Sequence, residues 1–246
     1  MDKRRIFVLS PGRCGTGYLA LLLRTVPGVA AFHEPEPRFS DANEVAQFNH
    51  EAARLFWLER KAPAIENALN GADVYAETSH LFVNAWGKVP AALGLDVDVI
   101  ALTRPARDVA LSYWRRTSIP GRTRTGKEYL IHPNSPHNAL KPRDWKRWHS
   151  YQLCYWHALE VGERVKHLET LYAIRKARVC EMTLGELATQ DGFNRLVGEM
   201  GLGEPDWRQW RAASRQVVNP NPPAYADRWP GRDLGEMERE VEAWIR

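Results

Sequence analysis

The apolar positions of this chain fall into two alternating patterns. Short continuous runs recur at Ile6–Ser10, Val29–Phe32, Val74–Thr78, Val97–Thr103 and Ala177–Met182, and each reads as a buried strand. Between these runs the apolar residues recur every three or four positions. Thr16–Thr25 predicts a helix with Leu19, Leu22 and Leu23 on one side. Ala42–Asn70 predicts helix in two pieces broken near Pro63, because proline has no amide hydrogen and crowds the preceding turn. Pro105–Arg116 predicts a helix with proline in its first turn, where the missing N–H costs nothing. Asp144–Leu171, Gly185–Met200 (ending near Gly201) and Leu234–Ile245 predict three more, the last docking through Leu234, Met237, Val241 and Trp244. Strands alternating with helices define an α/β chain with a parallel sheet of about four to five strands.

Two stretches break the pattern. Ser118–Pro142 is rich in Pro, Gly, Thr and Asn and has no period; it is long for a connection without structure, which predicts a lid over a substrate or cofactor site. Val217–Pro230 is rich in Pro and Asn. No repeat and no clear linker interrupts the rest, so residues 1–246 are expected to form a single domain.

Composition narrows the class. With 44% apolar and 26% charged residues over 246 positions, the chain matches average globular usage. It can bury a sizeable core, and disorder over most of its length is excluded. No apolar run approaches the roughly 20 residues of a membrane span. The start, Met-Asp-Lys-Arg-Arg and then Ile6–Leu9, lacks the longer apolar stretch and cleavage site of a signal peptide. Cys14, Cys154 and Cys180 are far apart and odd in number, which gives neither a disulfide framework nor a metal-site spacing. A cytoplasmic, reduced protein with no membrane partner is expected.

The net charge of +4 hides an uneven distribution. Between Arg104 and Arg147, eleven Lys/Arg face three acids, a local +8 that leaves −4 for the remainder. Such a segment fits a polyanionic ligand, although a solvated charged face would look the same. Nucleic acid, phosphates and sulfates all satisfy it.

The sharpest local signal is Ser10-Pro11-Gly12-Arg13-Cys14-Gly15-Thr16-Gly17-Tyr18, which follows a strand and opens a helix. A helix N-terminus presents unpaired N–H groups and the positive end of its dipole to an anion, and glycines allow close backbone approach. Arg13 adds a fixed charge and Thr16 a hydroxyl. The loop is not a Walker A motif, which ends in Gly-Lys-Ser/Thr; here Gly15-Thr16-Gly17 carries no lysine. A second signal is Val99 to Tyr113, where a strand ends at Arg104 and a helix carries Ser112 eight residues on. Both residues can reach one anionic group at the carboxyl edge of the sheet.

Together these segments resemble the sulfotransferases that use 3′-phosphoadenosine 5′-phosphosulfate (PAPS). Gly12-Arg13-Cys14-Gly15-Thr16-Gly17-Tyr18 resembles their 5′-phosphosulfate loop, Pro-Lys/Arg-Ser-Gly-Thr-Thr-Trp. Arg104 through Tyr113 resembles their 3′-phosphate motif, with Arg107-Asp108-Val109-Ala110-Leu111-Ser112-Tyr113 a close match. Arg178 to Leu184 is similar to the family's late strand and acidic turn, with Tyr155-Trp156 before it. The likeness spans roughly residues 5–35, 74–116 and 150–202. It implies a three-layer fold like that of the P-loop NTPases, with Arg13 as the catalytic cation at the sulfuryl group. It also implies that Gly12, Cys14, Gly15, Thr16 and Gly17 cradle the 5′-phosphate, that Tyr18 stacks on adenine, and that Arg104 and Ser112 bind the 3′-phosphate. Cys14 and Gly17 replace family hydroxyls, which shifts the work to backbone N–H groups. The late Arg-Lys-Gly motif is missing, and Arg228 or Arg232 would have to replace it.

Two residues compete as the base. Glu34, in Phe32-His33-Glu34-Pro35, resembles the Phe-Glu-Pro turn of carbohydrate and bacterial sulfotransferases. His80, in Glu77-Thr78-Ser79-His80-Leu81 and 24 residues before Arg104, resembles the Lys-Thr-His-Leu segment of the cytosolic branch, with Thr78 where the family has Lys. The sequence reading prefers Glu34 to His80 and leaves joint action open. Trp86, Trp114, Tyr129, Trp145 and Trp148 flank the pocket in sequence; aromatic platforms suit ring-bearing acceptors, and core packing explains most such residues equally well.

The expectation is sulfuryl transfer from PAPS to a hydroxyl of a carbohydrate or small molecule. It needs no metal, because Arg13, the loop amides and the helix dipole neutralise the charge, and it involves no nucleic acid. A kinase-like phosphotransferase with a degenerate P-loop and a non-catalytic nucleotide binder are the alternatives.

Overall fold

The computed structural model describes residues 3–218 and 228–245. Its centre is a five-stranded, all-parallel sheet in the order β2-β3-β1-β4-β5. The strands are β1 (Arg4–Leu9), β2 (Val29–Phe32), β3 (Val74–Glu77), β4 (Asp98–Thr103) and β5 (Val179–Thr183). In β1, Ile6, Phe7, Val8 and Leu9 are buried without alternation, as expected for a strand covered on both faces. The register pairs Ile6 with Ala76 on one side and Val8 with Ile100 on the other. Because the chain crosses from one side of β1 to the other between β3 and β4, β1 sits at a topological switch point, where open α/β sheets bind ligands.

Twelve α-helices flank the sheet among the described residues. Those that position the site are α1 (Thr16–Leu23), α6 (Ala106–Arg115), α7 (Arg124–Tyr129), α8 (Ser150–Ile174), α11 (Trp207–Ser214) and α12 (Leu234–Trp244). α6 packs on α8, and α12 covers α8 from outside. Leu234, Met237 and Val241 are buried as the spacing predicts, whereas Trp244 stays 39% exposed and leans on Trp148.

Several boundaries depart from the periodicity. The predicted break near Pro63 is instead a widened turn: α3 (His50–Phe56) runs through a π-helical segment, Trp57–Lys61, into α4 (Ala62–Leu69). The Ala62 N–H bonds Trp57 O, and the longer loop absorbs the donor that Pro63 lacks. The real interruption precedes α3, where Asn49 caps Glu51 N and Ala52 N. The helix expected from Asp144 begins at Ser150, because His149 accepts from Tyr151 N while Gln152 reaches back to His149 N. The helix expected over 185–200 is two: α9 (Leu184–Leu187) capped by Thr183 and α10 (Gln190–Glu199) capped by Thr189.

Ser118–Pro142 is more structured than its composition implies. It carries α7, buries Ile119, Leu130 and Ile131, and is pinned where Glu160 accepts from Ala139 N and Leu140 N. Most of Val217–Pro230 lies outside the described residues.

Beneath the carboxyl edge lies a buried ion pair. Lys61 Nζ is 3.0 Å from Glu77 Oε1, both side chains fully buried, and Tyr75 donates to Glu77 Oε2 at 2.7 Å. Burial pushes Glu77 up and Lys61 down, and their mutual attraction opposes both shifts. Lys61 also lies 3.4 Å from Pro35 O and 4.3 Å from the centre of the Phe39 ring, tying β3 to the turn after β2. Removing one member of such a pair leaves an uncompensated buried charge. Lys61→Met is expected to lower unfolding free energy by about 3–5 kcal/mol, with Lys61→Met/Glu77→Leu recovering part of the loss in urea unfolding.

Candidate active site

All five strands deliver their carboxyl ends to one edge, and four of the loops that follow converge there. The loop after β1 is held in an unusual backbone. Gly12, Arg13 and Gly15 have φ of 74°, 58° and 90°, a left-handed region in which only glycine is at ease. Gly12 N–H donates to Ser10 Oγ at 3.1 Å, and Tyr113 donates to Pro11 O at 2.8 Å. A Cβ on Gly12 would fall 2.0 Å from Tyr113 Oη and 3.0 Å from His80 Cδ2. The loop is therefore pressed between α6 and the segment after β3.

α1 starts on this loop without a side-chain cap at Gly15. Helices α3, α7, α8, α9, α10, α11 and α12 each have a capping side chain, whereas α4 and α6, like α1, have none. The first amides of α1 thus keep the donors and the dipole end that favour an anion. Successive amides around left-handed residues form a concave nest of the same preference.

Arginines crowd the nest. Arg13 Nε donates to Ser112 Oγ at 3.0 Å, and Arg104 donates to Arg13 O at 2.9 Å. Burial, then the charges of Arg116 and Arg104, push the Arg13 guanidinium below its ordinary range, against a smaller upward pull from Tyr113. Arg104 also lies 3.7 Å from Asp108. The structure thus brings together Arg13, Arg104 and Ser112 as the sequence predicts and adds Arg116. That residue sits one helical turn beyond Ser112, and the i,i+4 spacing is the signal that would have found it.

The two base candidates are in contact. His80 Nδ1 lies 3.2 Å from Glu34 Oε1. Glu34 stands at φ 50°, a left-handed conformation uncommon for a residue other than glycine. The two turns are joined by Thr78 N–H to Phe32 O at 2.9 Å and by His33 Nδ1 with Thr78 Oγ1 at 3.2 Å. Burial raises the Glu34 carboxyl, but His80, His33 and Arg38 outweigh it and hold it at about 2. With Nδ1 directed at the carboxylate, a neutral His80 carries its lone pair on Nε2, which is buried and without a hydrogen-bond partner in this structure.

Behind them stands His157, fully buried on α8 and not foreseen from the sequence. Its Nδ1 accepts from Ile131 N at 3.3 Å, and its ring meets Tyr113 edge-on at 5.5 Å. Burial and then His80 push its pKa down to about 3. It joins the 118–142 segment to the helix that presses on the loop.

The remaining candidates divide. Cys14 is buried, with its thiol directed at Gly12 O and pushed up to about 11 mainly by burial, so it serves packing. Thr16 is 7% exposed. Tyr18 is 8% exposed and donates to Ser214 O, which leaves little ring surface for a base. Tyr129 lies nearly parallel to His80 at 6.4 Å. Trp86 is fully buried between Phe39 and Phe56, hence core. Trp148 is buried against Trp244, and Trp145 bonds Asn134. Arg228 stacks over Trp114 at 5.3 Å beside the end of α6, whereas Arg232 pairs with Glu236 and Glu240 on α12. Cys14, Cys154 and Cys180 are all free thiols. Among the described residues, no group of three or more His, Cys, Asp or Glu is placed to hold a metal, and no helix is long and apolar enough to cross a membrane. Two cavities of about 410 and 510 Å³ are lined by none of the loop residues, Arg104, Ser112, Glu34 or His80. A nest of amides is a shallow site, so its chemistry need not lie in either cavity.

No model of a known protein family matches the chain, and no curated protein matches it in sequence. A solved structure, a sulfotransferase from Alicyclobacillus acidocaldarius, aligns with 100% of this chain and 92% of its own, at TM-score 0.52 and 14% identity. At that identity the likeness shows the fold: an α/β chain with a parallel sheet flanked by helices.

The Glu34 shift makes a signed prediction. Its folded pKa lies below the ordinary value near 4.5, so its contribution is present above about 4.5 and is lost as pH falls through about 2. Glu34→Gln is expected to cost on the order of 2–3 kcal/mol at neutral pH, with the gap from wild type closing below about pH 2 in denaturant titrations. Gly12→Ala is expected to be worse than the roughly 1 kcal/mol typical of an incompatible backbone, as a lowered urea midpoint will show.

Proposed function

We propose that the protein is a PAPS-dependent sulfotransferase that moves a sulfuryl group to a hydroxyl of a carbohydrate or small molecule. The observation that carries this reading is the meeting of two features on Gly12: an uncapped helix N-terminus ringed by Arg13, Arg104 and Arg116, and the Glu34–His80 pair. The fold shared with a sulfotransferase supports it.

The residues present fit the donor. The amides of 13–17 and the start of α1 suit the 5′-phosphosulfate; Arg104, Ser112 and Arg116 suit the 3′-phosphate. When bound, the donor supplies a sulfuryl group activated by a phosphate leaving group. Arg13 neutralises the charge that develops on that phosphate. His80 Nε2 would take the acceptor's hydroxyl proton as the acceptor oxygen bonds to sulfur and the sulfur–oxygen bond to the phosphate breaks, with 3′-phosphoadenosine 5′-phosphate as the leaving group. Glu34, held ionised, fixes the ring and stabilises the imidazolium, in the manner of a base oriented by a carboxylate. A carboxylate held at about 2 is a weak base at neutral pH, so the geometry favours His80 as base and Glu34 as its partner, reversing the order preferred from sequence. Nε2 is shut from solvent, so a segment must move to admit the acceptor; 118–142, whose Tyr129 ring lies beside His80, would serve as that lid.

Calorimetric titration without magnesium tests the reading. 3′-Phosphoadenosine 5′-phosphate (PAP) is expected to bind at about micromolar strength and ATP much more weakly. Arg104→Ala is expected to cost PAP about tenfold or more. Tight ATP binding with no preference for the 3′-phosphate would overturn it in favour of a kinase-like enzyme. PAP binding together with PAPS turnover undiminished in Glu34→Gln and His80→Ala would reject the base assignment.

A further inference from the structure

The cavity of about 410 Å³ lies between α3, the turn after Trp86 and α8, away from the loop. Its volume is in the range of small-molecule sites. Its floor is apolar and closed: Val83 and Leu168 are buried and Ala85 half-buried. Its rim is exposed and basic, with Lys88, His50, His137 and His167.

What the walls can offer a ligand follows from which groups are already engaged. Arg164 bonds Glu160, Asn84 O and Asn138 Oδ1. Both ends of the Gln47 amide are used, on Leu130 O and His132 N. The one lining carboxylate, Glu163, is paired with Lys166 at 2.8 Å. Lys88 and His167 make no hydrogen bond or ion pair with the described residues. His50 Nε2 and His137 Nδ1 lie 3.2 Å apart, so each ring keeps its other nitrogen. One buried acceptor, Asn84 Oδ1, has no partner. The remaining capacity is an ammonium and three imidazoles at the rim, one amide acceptor, Asn84 Oδ1, in the wall, and an apolar floor; the one lining carboxylate is committed to Lys166. After burial, the charges of His50, Arg164, Lys141 and Lys88 all depress the neighbouring His137, as expected of a positive field.

We propose that this cavity is a second ligand site, for a small organic anion whose apolar body lies on Val83, Ala85 and Leu168 and whose anionic head meets Lys88 and the His50–His137 pair. The site shares no residue with the groups assigned to the reaction at the loop. Its wall includes His137 and Ala139, which belong to the 118–142 segment, and Gln47, which bonds Leu130 O and His132 N of that segment, so occupancy stabilises its docked form.

The test uses the full chain and three probes: hexanoate, 4-phenylbutyrate and 4-nitrophenyl sulfate. Each is compared with its neutral counterpart (1-hexanol, 4-phenylbutan-1-ol, 4-nitrophenol) by calorimetry and by NMR of the histidine ring protons. At least one anion is expected to bind below about 1 mM and about tenfold tighter than its neutral form, moving the His50 and His137 resonances. Lys88→Met, at an exposed position, is expected to abolish that preference without changing the melting temperature or PAP binding. The proposal is overturned if no anion binds in that range, if neutral forms bind equally, if Lys88→Met changes nothing, or if PAP displaces the bound anion. Failure of PAP to bind would count against the sulfotransferase reading and leave these outcomes intact.

Discussion

Positive charge gathered at one point of the sheet edge is the constraint around which the rest is arranged. Burial, with Arg116 and Arg104 nearby, depresses the Arg13 guanidinium, and the three arginines gather at a helix start with no capping side chain. Like charges and unpaired amides on one concave surface are unfavourable in isolation and favourable around an anion. The fold supplies the rigidity this needs. β1, buried on both faces, feeds the loop, and Tyr113 and His80 press it from two sides so that only glycine fits at position 12.

A second layer of polar groups fixes the reacting pair. Lys61, Glu77 and Tyr75 lie buried under the edge, with Lys61 reaching the turn that presents Glu34. His33 and Thr78 join that turn to the one presenting His80. Glu34 and His80 therefore meet because two parallel strands, β2 and β3, end in register, with Phe32 opposite Glu77. His157 ties the same region to Ile131 and faces Tyr113. Displacement of the 118–142 segment would be felt at the loop through this imidazole, through Ser118 on Tyr113, and through Tyr129 on His80.

The strands were readable because a parallel sheet writes itself as continuous apolar runs, and all five fall where Ile6–Ser10 and its counterparts lie. The anion loop was readable because strand, glycines and helix start are contiguous in sequence. What pattern could not give was anything set by tertiary contact. The π-helical turn at Trp57–Lys61 replaces a break at Pro63 because burial of Trp57 and Lys61 keeps the helix going. Caps at His149 and Thr189 cut helices that periodicity alone would extend or fuse. Trp86 went to the core rather than to the pocket. The contact between Glu34 and His80, read as rivals from sequence, depends on strand register that no local motif encodes.

The most direct measurement of the central claim is the structure of the protein with 3′-phosphoadenosine 5′-phosphate bound. The account predicts the 5′-phosphate on the amides of residues 13–17 at the start of α1, and the 3′-phosphate against Arg104, Ser112 and Arg116. Glu34 and His80 would stay paired beside the 5′ end. A nucleotide bound elsewhere, or one whose 3′-phosphate touches none of these three residues, would contradict it.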